Sequence, residues 1–296
     1  MKTDISLTET NKNRSYIVAK SNDLIRRSRA GLTLGAQRVL NFSISKIRPD
    51  VTEMPSISFS IQEFLRTFGL NDTSGENYKH VKAWCQQLRD KSWYYKPNDN
   101  EEVTMSWITK VHFKKKQGMV TLDFDPDMAP FLLELKKTGN FTQYELSITI
   151  YFKYSTTGIL YDLLRSYAFS YSNRMQKEFE VIESLDHLKY MYDAQDMETK
   201  RFMARYINKA VEDLNRASDF NVSVSSIKKG RVITQLKFSM TMIDAMELMK
   251  RQCLCRAEDA GVDTKHEIPG QLNLFSPIGE IESMPLSDYL EKCNKE

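Results

Sequence analysis

The order strand, short helix, second helix, hairpin occurs twice along this chain, and that repetition limits the folds open to it more than any other feature. In the first occurrence Ser56-Ile57-Ser58-Phe59 alternates as a half-buried strand, residues 61–69 read as a short helix, 78–91 as a second helix and 103–124 as a hairpin. In the second, Glu178-Phe179-Glu180-Val181 is the strand, 184–192 the short helix, 199–217 the longer one, and 221–241 a hairpin turning at Lys229-Gly230. Two helices followed by a hairpin are the parts of a helix-turn-helix with a β-wing, so the expected class is α+β, built of two tandem winged-helix domains. Their expected limits are 16–140 and 141–250, between a polar tail at 1–15 and an acidic tail at 251–296. Two recognition elements on one chain suit a protein that reads a DNA site longer than one turn of the major groove.

Composition is compatible with that expectation. A length of 296 residues allows about two small cores. The net charge is only +3, but it is unevenly spread: residues 250–296 carry 6 basic and 9 acidic side chains, leaving 36 basic against 30 acidic where the repeats lie. The four cysteines, Cys85, Cys253, Cys255 and Cys293, show neither a disulfide framework nor C-x-x-C metal spacing, which points to a reducing cytoplasm. No apolar run approaches membrane-spanning length, and Met1-Lys2-Thr3-Asp4-Ile5-Ser6 lacks a hydrophobic signal core, so neither a membrane partner nor secretion is expected. His80, His112, His187 and His266 are scattered without a His-x-His pair, and no Gly-x-x-x-x-Gly-Lys-Ser/Thr loop occurs. A DNA-nicking or ATP-hydrolysing enzyme is therefore not expected, nor is any catalytic residue, metal or cofactor.

Within the helices, polar and apolar positions separate by face. Residues 34–47 suit a helix capped by Thr33, and Val81, Trp84, Cys85 and Leu88 form a core stripe on the 78–91 helix. Opposite that stripe lie Lys79, Lys82, Gln86 and Arg89, and the following hairpin carries Lys114-Lys115-Lys116. In the 199–217 helix the apolar stripe reads Met203, Tyr206, Ile207, Ala210 and Leu214, against Lys200, Arg201, Arg205, Asn208, Lys209 and Arg216. Arg and Asn offer the bidentate geometry that reads guanine and adenine edges, whereas Lys serves phosphates less selectively. A basic face of this kind is as often an ordinary solvated surface. The run Lys228-Lys229-Gly230-Arg231 tips the balance, because cations crowded at a hairpin tip repel one another unless a polyanion lies there. Between the units, 126–135 reads as a short helix, and 141–154 leads into a helix bearing Ile159, Leu160, Leu163 and Leu164, too apolar a connection for a loose linker.

Several blocks together resemble the initiator replication proteins of iteron-containing plasmids. They are Val18-Ala19-Lys20-Ser21-Asn22-Asp23-Leu24-Ile25, then Leu32-Thr33-Leu34 with Gln37-Arg38-Val39-Leu40, and Gly158-Ile159-Leu160-Tyr161-Asp162-Leu163-Leu164. Ala210-Val211-Glu212-Asp213-Leu214-Asn215 and Lys229-Gly230-Arg231-Val232 complete the set. The resemblance implies two winged-helix domains that bind origin repeats as monomers and often repress their own gene as dimers. Relatives tend to place an acidic residue before the Gln-Arg pair, where this chain has Gly35-Ala36, expected to weaken the helix locally.

The tail carries a separate signal. Gln271-Leu272-Asn273-Leu274-Phe275 resembles the bacterial clamp-binding pentapeptide, in which Gln271, Leu272, Leu274 and Phe275 would enter a groove on the sliding clamp. The expected partners are thus double-stranded origin DNA, the sliding clamp, the host initiator and helicase, and a second copy paired through an edge strand bearing Val103, Met105, Trp107 and Ile108. The alternative is a winged-helix transcriptional repressor that never starts replication, for which a clamp motif would have no use.

Overall fold

A computed structural model describes residues 15–70, 75–172 and 177–259, with only the backbone for 169–172. The chain opens with β1 (Ile17–Ser21), α1 (Asn22–Arg27), the two-residue β2 (Ser28–Arg29) and α2 (Leu34–Ile44). Thr33 caps α2 by accepting from the Ala36 amide, and Val39 and Phe42 on its inner face are fully buried.

The first repeat follows as β3 (Ser56–Ser60), α3 (Ile61–Thr67) and α4 (Gly75–Asp90). Alternation turns Ile57 and Phe59 of β3 inward, and Ser60 then ends the strand and starts the helix in one step. Its hydroxyl accepts from the Glu63 amide at 2.9 Å while Glu63 reaches back to the Ser60 amide, a capping box that contributes about 1 kcal/mol. After α3 the chain reverses at Gly69, whose φ of 65° is left-handed, and the Leu70 amide closes the turn on the Leu65 carbonyl at 2.8 Å. On α4 the buried stripe is Val81, Cys85 and Leu88, with Trp84 half-buried. Gly35 explains how α2 lies so close to α4: a Cβ there would meet the Trp84 indole at 2.0 Å. The glycine that weakens α2 as a helix is the residue that lets Trp84 pack on it.

Next come β4 (Trp93–Asn98), β5 (Glu101–Met105), β6 (Ile108–Lys114) and β7 (Met119–Phe124). The single hairpin expected over 103–124 is in fact parts of two. Val103 and Met105 pair with Tyr95 and Trp93, whereas the wing proper is β6 against β7. Trp107 lies between them, buried with Ile108, because the aromatic cluster of Trp93, Trp107 and Phe131 anchors the junction at centroid distances of 5.0 and 5.4 Å.

After α5 (Ala129–Leu132), α6 (Leu135–Thr138), β8 (Phe141–Glu145) and α7 (Ser155–Ser172), the second repeat runs β9 (Glu178–Ser184), α8 (Leu185–Met191) and α9. Helix α9 is continuous over 199–217 and consists of Thr199–Phe202, a π-turn Met203–Ile207, and Asn208–Ala217. Its wing is β10 (Phe220–Lys229) with β11 (Val232–Met242), and α10 (Ala245–Asp259) closes the described chain. The devices of the first repeat recur. Ser184 caps α8 through the His187 amide at 3.0 Å, Asp193 takes the left-handed turn at φ 53°, and the Ala194 amide closes on the Lys189 carbonyl at 2.8 Å. The sheets also match strand for strand, with order β3-β7-β6 in one unit and β9-β11-β10 in the other.

Three expectations change at the seams. Residues 141–145 are a strand pairing with β1, so a domain limit at 140/141 would divide that ladder. The acidic tail does not begin at 251: residues 251–259 continue α10, where Arg251, Cys253, Cys255 and Ala257 are buried against the second unit. The hairpin turn in the second unit is Gly230-Arg231, since Lys229 still pairs with Val232. One apolar core runs through both units from Val18 to Cys255. Polar contacts tie the N-terminal segment to α7, Lys20 to Asp162 at 2.7 Å and the Arg26 guanidinium to Ser166, and the His187 ring joins the second unit to the first, lying between Glu183 and the Arg26 carbonyl at 2.6 Å to each.

Candidate nucleic-acid interface

Helix α9 presents the most complete set of groups. It is held inward by Phe202, Ile207, Ala210, Leu214 and Ala217, all fully buried. Met203 and Tyr206, expected in that stripe, are only half-buried, because the π-turn inserts one residue and brings Phe202, five positions from Ile207, onto the core side. Lys200, Arg201, Arg205, Asn208 and Lys209 are all exposed on the outward side. The Arg205 guanidinium lies 5.6 Å from the Tyr206 ring centroid, and the Lys209 ammonium is 5.6 Å from that of Tyr154. Among the described residues none of the four cations has an ion-pair partner, so their charge is available to an external anion.

Arg216, expected on the same face, belongs elsewhere. It points back to Asp213, to the Tyr151 carbonyl and to Glu258, beside the Cys255 sulfur at 2.8 Å. Burial pushes the Cys255 thiol up to about 11, so the charge facing Arg216 comes from the carboxylates rather than from sulfur. Asp213 is the residue that sequence reasoning missed. It is 2% exposed and accepts from the Lys153 amide at 2.8 Å, the Thr157 hydroxyl at 2.7 Å, and the Arg216 Nε and Nη2 at 3.1 and 2.8 Å. This fastens α9 to the start of α7, and the only sequence signal was an acid standing in an otherwise apolar phase of a basic helix.

The second wing extends the same surface. Gly230, at φ 64°, makes the tight turn, and nothing lies within 4 Å of where its Cβ would be, so the tip projects freely. Lys228, Lys229 and Arg231 are exposed there without ion-pair partners among the described residues.

The first unit is built differently. Gly118, at φ 63°, folds the wing tip back so tightly that a Cβ would meet the Tyr78 hydroxyl at 2.1 Å, and its carbonyl accepts from the Ile61 amide at 2.9 Å. That places Lys114, Lys115 and Lys116, all exposed, beside the first turns of α4. Two of the cations on α4 are locally neutralised, Lys79 by Glu76 at 3.0 Å and Arg89 by Asp90 at 3.3 Å. Lys82 instead lies 5.6 Å from the Phe113 ring centroid of the wing. Among the described residues no group of His, Cys, Asp and Glu is placed to hold a metal ion, and no helix is long and apolar enough to cross a membrane.

Two winged-helix units with matching sheets and turns agree with two family models. Residues 17–165 match the first winged-helix domain of the initiator replication proteins, and residues 184–240 match the second. The chain belongs to the initiator replication protein family. Its fold is shared with a crystal structure of the Pi initiator protein in complex with iteron DNA, at a TM-score of 0.65 and 20% identity, covering 78% of this chain and 99% of that one. A crystal structure of the WH1 domain of MSBI1.176, described as a replication protein isolated from a multiple sclerosis patient, matches at 16% identity over 33% of this chain and 79% of that one, with a TM-score of 0.27. In this initiator the segment Gln271, Leu272, Leu274 and Phe275 lies outside the described residues.

Proposed function

We propose that the chain is a plasmid replication initiator that binds tandem repeats at its origin, without catalytic chemistry of its own. The observation that carries this reading is the pairing of exposed, unneutralised cations on α9 with those on a freely projecting wing, in a chain of the initiator family. Support also comes from the fold shared with Pi, a protein crystallised on iteron DNA. In this reading Arg201, Arg205 and Asn208 read base edges from the major groove, while Lys200, Lys209 and the wing cations Lys228, Lys229 and Arg231 hold phosphates. The first unit, with Lys79 and Arg89 already paired, contributes phosphate contacts chiefly through Lys82 and Lys114–Lys116.

Autorepression by a dimer belongs to the same proposal. Of the four residues expected at the dimer edge, Trp107 and Ile108 are consumed by the core, and Val103 on the outer strand β5 is the exposed one that remains. The pentapeptide 271–275 is proposed to dock the sliding clamp. A peptide spanning it that ignores purified clamp, or a Leu274→Ala, Phe275→Ala double variant that binds clamp normally, would remove that part while leaving DNA binding untouched. The reading as a whole is tested by footprinting the purified full chain on the DNA flanking its gene. Protected tandem repeats are expected, and uniform protection without sequence preference would refute it.

A further inference from the structure

The π-turn in α9 changes which side chains share its outward face. Phe202 and Ile207 are both fully buried, and four residues, Met203 to Tyr206, lie between these anchors where a regular helix places three. Exposure along α9 therefore comes in pairs at four-residue intervals: Lys200 with Arg201, Ala204 with Arg205, Asn208 with Lys209. In an uninterrupted α-helix each four-residue step drifts by roughly 40° around the axis, so two such steps would carry Lys209 well away from Arg201. The extra residue takes up that drift. Arg201, Arg205 and Lys209 then form one row along the helix, and Lys200, Ala204 and Asn208 form a second beside it.

Ala204 is the one apolar member of this surface, and the shortest. The methyl group is flanked on its row by an ammonium and a carboxamide, and on the next by two guanidinium groups, so alanine's helix propensity suits the position but its methyl is left facing water among polar groups. In the major groove it has an apolar partner, because the thymine C5-methyl is the apolar mark of that base pair. We infer that Ala204 is a specificity-determining residue of this initiator, packing on a thymine methyl while Arg205 and Asn208 contact the neighbouring base pairs. The inference rests on the proposed reading of α9 as the recognition helix and deepens it. A longer side chain at 204 would hold the helix off the base edges, so the small residue also sets how closely the other groups approach.

The test uses the full chain and a duplex bearing the repeat found by footprinting, with thymines replaced one at a time by uracil, which lacks only the methyl. Binding is read by anisotropy. The wild-type protein is expected to lose roughly fourfold in affinity at one thymine within the part of the repeat covered by α9, the worth of one buried methylene-sized group. Ala204→Gly should bind the uracil and thymine duplexes equally at that position. Ala204→Gln should change the preferred base there alone, with an unchanged unfolding midpoint, since the side chain is exposed. If the wild type selects the repeat yet tolerates uracil at every position, or if Ala204→Gln keeps the original preference throughout, the role of Ala204 is refuted and the recognition-helix reading stands. If the wild type selects no sequence, both fail together.

Discussion

Removing the Asp213 carboxylate should separate the fastening of α9 from its chemistry. In Asp213→Ala the Thr157 hydroxyl, itself fully buried, loses its acceptor, the Lys153 amide loses its cap, and Arg216 loses its nearest carboxylate. Breaking a buried ion pair by deleting one partner costs about 3–5 kcal/mol. Arg216 is 20% exposed and keeps the Tyr151 carbonyl and Glu258, at 3.5 Å from the latter, so the loss should fall at the lower end, about 3 kcal/mol. For a body of this size each kcal/mol moves the midpoint by about 2–4 °C, giving a fall of about 6–12 °C. Thermal and urea unfolding of the full chain measure it, with Arg205→Ala as the exposed control expected within about 0.5 kcal/mol of wild type. A loss below about 1 kcal/mol for Asp213→Ala would show that the four donors are satisfied elsewhere and that α9 is held by apolar packing alone.

Three further outcomes follow from the same geometry. Arg201→Ala and Arg205→Ala should each cost about 1–3 kcal/mol in specific binding if each reads a guanine, and an equal loss on unrelated DNA would show phosphate contact only. Lys82→Ala should lower the slope of log affinity against log salt by roughly one unit, with base preference unchanged, whereas Lys79→Ala, whose ammonium is already paired with Glu76, should change it less; the reverse order would overturn the division drawn on α4. His187 faces two acceptors, Glu183 and the Arg26 carbonyl, with Lys96 nearby; the hydrogen bond to Glu183 raises it above its ordinary 6.5 despite burial. Its contribution to stability should be fully present below 6.5 and lost as pH rises through the raised folded value, so midpoint-against-pH curves of wild type and His187→Gln should converge on the alkaline side, and parallel curves would contradict the assignment.

What was legible in the sequence is what local chemistry dictates. The Thr33 cap of α2, the alternation of Ile57 and Phe59 and of Phe179 and Val181, and the α4 stripe each follow from one short window of residues. The exposed cations of α9 and its wing were legible for the same reason. What failed to show depends on partners distant in sequence. Val103 reads like a wing strand until Tyr95 claims it, and Gly35 reads as a weak helix position until Trp84 lies over it. Arg216 matches the period of its basic neighbours and is diverted by Asp213 on its own helix together with Tyr151, Cys255 and Glu258 from distant segments. The π-turn is hidden because the same residues satisfy a regular helical stripe, and the core chooses Phe202 over Met203. Acidic residues beyond 250 suggest a tail, yet α10 supplies Cys253, Cys255 and Arg251 to the body first.

The central claim is that both units of one chain engage one stretch of DNA, α9 in one major groove and α4 with its wing along the next. Hydroxyl-radical footprinting of a single repeat bound by one protein molecule measures this directly. The account predicts two protected patches on one face of the duplex, about 10 base pairs apart, with the patch beneath the first unit fading first as salt is raised. A single patch, unchanged when the Lys114–Lys116 run is neutralised, would contradict it.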